Sequence, residues 1–548
     1  MLAVLPFENL GPTEEEYFAD GMTEEIISRL AAVRDLGVIS RTSAMQYKGT
    51  RKPIRQIAGE LGVDYVLEGT VRWSKNPAGP SRVRITPQLI QVDDDTHLWS
   101  DRYDRVIEDI FAIQSEIAEQ VIHQLNVTLR GPEREVVCAQ CTSNVEAYQA
   151  YLRGLEYARH PDYQDDKYRS AIRLFEHAVS LDPEFAAAYA ELSLAHSALY
   201  FFGFDRTAER LARSKSSADR ALGLQPDLAD ARSALGFYLY RGHRDWEGAL
   251  EQFQIAFRGK PNDSRILFTT GGIRRRQGRF AEARDNLMRA FPLDPRDARL
   301  PLEIGVTCLL MRQFEEAERF FDQSIALAPD QTNAYTWKSM LYLGWRGDLN
   351  AARHALESVL QPDVDATFAE WFLLRLCERD FQGTLVWLDR TGLDQHEAQA
   401  FFWSIAQLRG WLYDLLGDRT QAMAAYELAR VSLEARREAQ PDDFRVYSSL
   451  GSVYAGLGRP EEAVAAARRA TELVPVTVDA VIGPFCLESL AHTCIRIGET
   501  ELALDLLERL LAMPSLLSVS MLKIDPFLDP LRDYPRFHKL LAQPDKVF

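Results

Sequence analysis

Cys138 and Cys141 form a C-x-x-C, a spacing at which two thiolates can share a zinc ion or cycle through a disulfide. Structural zinc takes four ligands, and no second Cys or His pair stands nearby in sequence. A redox pair sits at a helix start beside a strand, whereas this pair lies in a segment that reads as a linker. Spacing alone therefore supports neither role. Asp93, Asp94 and Asp95 are adjacent, but calcium loops need ligands at alternate positions and a bidentate Glu at a fixed distance, so a hairpin turn is expected. Cys486, His492 and Cys494 fall along one predicted helix as core and surface positions. Walker-type loops, His-Glu-x-x-His, Gly-x-Ser-x-Gly and kinase signatures are absent from the sequence. No catalytic residue, cofactor or metal is expected, and the chain reads as a non-enzyme.

A second set of residues suits binding. Phe237, Tyr240, Arg241, Arg265, Phe268, Arg275, Arg276 and Arg299 fall at positions expected to line the inner face of consecutive helices, and Arg274 completes "IRRRQGR". Arg grips a carboxylate through two parallel bonds, and aromatic faces bury apolar peptide side chains. These eight residues are the candidate groove for an acidic or carboxylate-bearing protein segment. The competing reading is a solvated charge run that offsets an acidic chain.

The elements that would carry this groove are read from a period. Ala249, Ala283, Ala317 and Ala351 are separated by 34 residues each; Pro261, Pro295 and Pro329 keep the same step, as do Gly271 and Gly305. Phe253, Leu287 and Phe321 stand four residues after the first three alanines. Small residues let two antiparallel helices approach, a large one fills the gap, and Pro ends the second helix. This is the tetratricopeptide (TPR) pattern. Its best single copy runs from Phe444 to Pro475; an earlier copy has Ala171, Phe175, Ala178 and Pro183, another carries an insertion around "FFGFDR", and residues 366–440 are looser. About nine or ten helical pairs are expected. "LKIDPFLDPLRDYPRFHKLL", with Phe537, Leu540 and Leu541, reads as a cap over the last repeat and resembles the end-of-group segment of such arrays.

Before the array the period is different. Leu2, Val4, Leu5 and Phe7 read as a buried strand, Thr13 with Glu16 as a capping box, and Phe18, Met22, Ile26, Ile27 and Leu30 as a helix stopped by Gly37. Val38 and Ile39 start a parallel strand, and Ile54 to Leu61 form a helix ended by Gly62. Tyr65, Leu67, Val71 and Trp73 alternate with polar residues, "SKNPAGPS" is a turn, and Val83, Ile85 and Leu89 alternate again. Ile110, Ile113, Ile117, Val121 and Leu125 form a closing helix. "LAVLPFENLG…EYFADGMTEEI", "VISRTSAMQYKG", "IAGELGVDYVLEGTV" and "LWSDRYDR…DIFAIQSEIAEQV" resemble the TolB-amino-terminal-like domain of bacterial signalling proteins. That resemblance implies a domain that follows an effector (a winged-helix DNA-binding domain, a serine/threonine kinase or a class III nucleotide cyclase) and precedes a TPR array. No effector stands before the first strand, which starts at Met1; either the region begins there or an upstream segment precedes it.

The expected fold class is a small mixed α/β sheet with helices over residues 1–130, a linker over 131–144, an all-α TPR solenoid over 145–513 and a capping segment over 514–548, mostly α overall. With 548 residues, 46% of them hydrophobic, several cores are expected. A net charge of −17 argues against a nucleic-acid partner, and the 53 Arg against 10 Lys reflect base composition. Six scattered Cys fit a reducing compartment, and no window approaches the ~18 apolar residues of a membrane span. The expectation is a cytoplasmic scaffold that binds protein or peptide partners; a periplasmic location would follow from an upstream span. The alternative is the sensory or regulatory half of a split or truncated kinase, cyclase or winged-helix regulator. Oligomeric state is open.

Overall fold

A computed structural model describes residues 1–74, 82–106, 110–139, 141–159, 164–360 and 363–548. The fold class is the expected one, a small mixed α/β sheet followed by antiparallel helical pairs. The chain divides into two compact units, residues 1–270 with 288–297 and residues 271–287 with 298–548.

In the first unit, β1 (Leu2–Val4) and β2 (Glu8–Asn9) pair in parallel with β3 (Tyr65–Ser74). β4 (Arg82–Gln91) runs antiparallel to β3, and β5 (Thr96–Ser100) and β6 (Tyr103–Val106) both pair antiparallel with β4. Val83, Ile85 and Leu89 point into the core, as their alternation predicts. The three Asp form the β4–β5 turn, with Asp95 at φ 59 and the Asp94 carboxylate accepting from the Thr96 N–H at 3.2 Å. The "SKNPAGPS" turn lies outside the described residues beyond Ser74.

Four local expectations change. A 3₁₀ turn over Thr13–Glu15 precedes α1 (Glu16–Leu30), so Thr13 sits in that turn and not at the helix cap. α1 ends at Leu30, ahead of Gly37, in a run of turn bonds at Ala31–Leu36. Val38 makes a single parallel bridge to Leu2, with the bond from Ile39 N–H to Leu2 O completing it, so the expected strand is one residue long. Gly62 does end the short helix Ile54–Leu61, at φ 67. Residues 131–144, expected as a linker, carry the helix Gly131–Cys138, and Asn144 caps the following helix through Ala147 N–H at 3.0 Å. The buried Arg29 explains the ordering: its guanidinium donates to Val137 O at 2.6 Å and to Ser115 Oγ at 3.0 Å.

Ten helical pairs follow among the described residues, beginning with Val145–Ala158 and Asp165–Leu181 and ending with Gly483–Ile497 and Thr500–Leu511. The periodic residues do the packing predicted for them. Ala249, Ala283 and Ala317 are fully buried, and a Cβ placed on Gly236 or Gly305 would meet Phe253 or Phe321 at 2.8 or 2.6 Å. Second helices are capped repeatedly by Asp: Asp245, Asp348, Asp380 and Asp418 each accept an N–H from the first turn. The fourth alanine slips. Ala352 is the buried residue and Ala351 is half-buried, because the preceding helix Asn333–Arg346 has 14 residues where Arg299–Leu310 has 12, and the shorter turn through Gly347 takes back only one of them. The looser stretch contains a small hairpin, Gln395–Glu397 with Phe402–Ser404, and the 21-residue helix Arg419–Ala439.

The first unit has one continuous core from Leu2 to Leu199, so sheet and early repeats are not separate bodies. α1 crosses the helix Val145–Ala158 at Gly21, where a Cβ would meet Leu152 at 2.6 Å. Asn262, in a turn between repeats, donates to Val33 O and Leu36 O at 2.9 Å, and Ser40 N–H donates to Leu293 O at 2.7 Å. In the second unit, residues 510–548 pack back on repeat helices far upstream in sequence. Ser518 Oγ donates to Gly344 O at 2.6 Å, Ser520 Oγ to Trp345 O at 3.0 Å, and Arg379 grips Asp529 at 2.6 and 2.8 Å. Phe537 and Leu540 close this core as expected. No helix among the described residues is long and apolar enough to cross a membrane.

Candidate functional site

The eight candidate groove residues divide between the two units. In the first, Phe237 is buried and meets Phe253 edge-on at 5.0 Å. The Arg241 guanidinium lies 4.4 Å over the Phe237 ring and 5.8 Å from that of Phe201, and donates to Ser197 Oγ at 3.0 Å and Leu194 O at 3.3 Å. Arg265 approaches Phe237 from 5.8 Å. Tyr240 is half-buried between Phe201 at 5.8 Å and Trp246 at 5.6 Å; Phe268 is also half-buried. Tyr240 and Arg241 stand in a π-helical turn, Leu239–His243, which follows the helix Ala229–Tyr238. Phe204, 38% exposed, extends the aromatic surface through Phe202 at 6.3 Å.

In the second unit the arginines are used internally. Arg275 pairs with the Glu303 carboxylate and donates to Glu303 O at 3.2 Å and Thr307 Oγ1 at 3.1 Å. Arg276 pairs with the buried Asp479 at 2.6 Å, and Arg276 O accepts from Ala480 N–H at 2.7 Å. Arg299 opens its helix and is exposed. Phe237, Tyr240, Arg241 and Arg265 are thus brought together, while Arg275 and Arg276 tie separate elements of the second unit.

The sequence reading missed Arg312. It is 1% exposed and donates to the carbonyls of Leu510, Leu511, Met513, Leu517 and Lys546 at 2.7–3.1 Å. Leu510 and Leu511 end a helix, whose terminal carbonyls lack partners of their own and carry partial negative charge. Burial pushes the Arg312 guanidinium down to about 10, against the pull of Asp545, which leaves it charged at neutral pH. Its φ is 57, a conformation that Gly278 holds one period earlier. An Arg in a turn-glycine slot was the available signal.

Titratable clusters elsewhere have structural partners. Burial lowers His196 to about 3, aided by Arg210, whose Nη1 is 2.8 Å from Nδ1. Burial alone would lower His492 as well, but Asp525 at 3.1 Å and then Glu488 outweigh it and raise the imidazole. Cys138 donates to Glu119 at 2.8 Å, and burial raises both its thiol and that of Cys141, which disfavours the thiolate that metal or redox chemistry uses. Among the described residues no group of three or more His, Cys, Asp or Glu is arranged to hold a metal ion.

Family models described as tetratricopeptide repeat match residues 236–298, 444–476 and 487–517. A Rhizobium meliloti protein named putative adenylate cyclase 3 is 42% identical over 196 residues, which are 35% of this chain and 32% of that protein. Anaphase-promoting complex subunit 3 of Schizosaccharomyces pombe is 26% identical over 189 residues, 34% of this chain and 27% of that one. The chain therefore spans about a third or less of the length of these relatives. Among solved structures, PilF of Pseudomonas aeruginosa aligns with a TM-score of 0.30 at 19% identity, over 47% of this chain and 93% of that one. The chain carries tetratricopeptide repeats, and the matched segments include Phe237, Tyr240, Arg241, Arg265, Phe268, Arg275 and Arg276.

Proposed function

We propose that this chain is a non-enzymatic protein-interaction scaffold in bacterial signalling, with partner segments bound on the helical repeats of the first unit. The observation that carries the reading is the half-open aromatic surface of Phe201, Tyr240 and Trp246, with the Arg241 guanidinium between Phe201 and the buried Phe237 beneath it. Aromatic side chains and Arg dominate binding hot spots, because they bury much area at low entropic cost and can pair a carboxylate. Residues 1–130 act as a TolB-amino-terminal-like domain, 145–513 as the repeat array and 514–548 as its end-of-group cap; the sequence motifs support these assignments. Six unbridged cysteines, four of them outside the C-x-x-C pair, support a cytoplasmic location.

The test places a photo-crosslinking amino acid at Tyr240 and, separately, at Leu428, which is 68% exposed on a helix of the second unit. The scaffold reading expects a discrete crosslinked partner in host cells from position 240 and none from 428. Equal or absent crosslinking at both would contradict it. A second reading, the regulatory half of a larger kinase, cyclase or winged-helix regulator, is favoured by the kinship with a protein named as a cyclase, of which only 32% is covered. Under either reading the purified chain forms no cyclic nucleotide from ATP; reproducible turnover would overturn both.

A further inference from the structure

The second unit has a site that neither the repeat pattern nor the aromatic surface above accounts for. A cavity of about 260 Å³ is lined by Val364, Thr367, Trp371, Arg375 and Trp387. Four of these recur along one face of the helix Val364–Cys377, and Trp387 comes from the partner helix Phe381–Thr391. The face is left open because the preceding second helix, Leu349–Glu357, is 9 residues long where Phe314–Leu327 is 14. Leu360, Val364 and Val386 are correspondingly 65%, 49% and 44% exposed.

Inside the cavity the Arg375 guanidinium lies 5.8 Å from the Trp371 ring and 5.5 Å from that of Trp387, and Trp387 is itself stacked on Phe368 at 5.1 Å. Arg375 Nε is buried without a hydrogen-bond partner among the described residues, and its nearest carboxylate, the exposed Asp380, is 3.9 Å away. A guanidinium lining a cavity between two indoles fits a carboxylate, and the flanking Trp371, Val364 and Val386 fit an apolar side chain beside it. The volume accommodates one anchoring side chain, below the ~300 Å³ at which whole small-molecule sites begin. Resting on the scaffold reading, we infer that this pocket docks a partner protein through an Asp or Glu adjacent to a large aliphatic or aromatic residue.

The test is selection of a displayed random nonapeptide library on the full chain, followed by anisotropy titration of the enriched peptides and of versions with Asn or Gln for the acid. The expected result is enrichment of an acidic–apolar pair, with at least tenfold weaker binding for the amide peptide and for Arg375→Met. Arg375→Lys, which keeps charge and stem but loses the planar fork, should fall between, and Leu428→Ala, at an exposed position outside both sites, should bind as the wild type does. Equal binding by Arg375→Met, indifference to the peptide carboxylate, or displacement of the peptide by a single-stranded oligonucleotide would overturn the inference. Failure here with crosslinking at Tyr240 intact would remove the pocket and leave the scaffold.

Discussion

The two units close their repeats with different turns. In the first, the sheet-bearing region meets turns that join one helical pair to the next, at Asn262 and at Leu293–Arg296. In the second, the closing segment meets the junctions inside pairs, at the turn residues Arg312 and Arg379 and at Gly344–Trp345 in the last turn of the helix Asn333–Arg346. A TPR unit offers both sets, and its periodic residues decide neither. A few polar side chains at turn positions select which is used, by supplying donors for backbone carbonyls that would otherwise be buried unpaired.

The largest break in this comparison is expected at Arg312. Arg312→Ala leaves the carbonyls of Leu511, Met513 and Leu517 without their donor, while Leu510 O keeps Ser515 Oγ, and should cost the second unit about 3–5 kcal/mol. Arg312→Gly relieves about 1–2 kcal/mol of left-handed backbone strain and should recover only that part. Denaturant unfolding followed by hydrogen exchange in residues 510–525 checks both; an unchanged midpoint for Arg312→Ala would contradict the assignment. Asn262→Ala is the counterpart in the first unit. It strips the donor from Val33 O and Leu36 O and should cost about 2–3 kcal/mol, with faster exchange across residues 31–40.

Acidity should separate the units in opposite directions. His196 in the first unit has a folded value near 3 against an ordinary 6.5, so the unfolded state takes up the proton first and stability is lost as pH falls below about 6.5. At pH 5 that amounts to about 2 kcal/mol. His492 in the second unit is raised by Asp525 and Glu488, so its contribution is complete below about pH 6.5 and disappears as pH rises through its folded value. Melting curves of His196→Gln and His492→Gln between pH 5 and 8 should flatten the acid and the alkaline side respectively; identical slopes in wild type and variants would remove this distinction. The smallest effect belongs to Arg379→Ala. Its pair with Asp529 is bidentate but about half exposed, and its loss should cost about 0.5–1 kcal/mol, measured as a shift in the same denaturant midpoint.

What the sequence disclosed and what it hid follow the same division. Ala249, Ala283 and Ala317 announce helical pairs because packing two helices forces a small residue at a fixed interval, and the alternation around Val83 and Ile85 announces a strand for an equally local reason. Ala351 misled by one residue because the helix before it runs longer than its counterpart one repeat earlier, a change of length that the 34-residue step does not register. Of the candidate groove, the cluster of Phe237, Tyr240, Arg241 and Arg265 was legible as adjacent aromatic and basic residues on inner helices. The partners of Arg276 and Arg312 were not, since Asp479 and the carbonyls of residues 510–546 lie about 200 residues away and carry no periodic mark. The tryptophan pocket was hidden for a similar reason: it exists because a helix stops early.

Hydrogen exchange on the full wild-type chain beside Arg312→Ala and Asn262→Ala tests most directly whether each unit holds its own repeats through its own turns. The account predicts that Arg312→Ala releases amides across residues 510–525 while residues 31–40 stay protected, and that Asn262→Ala does the reverse. Release of both segments by either substitution would contradict it.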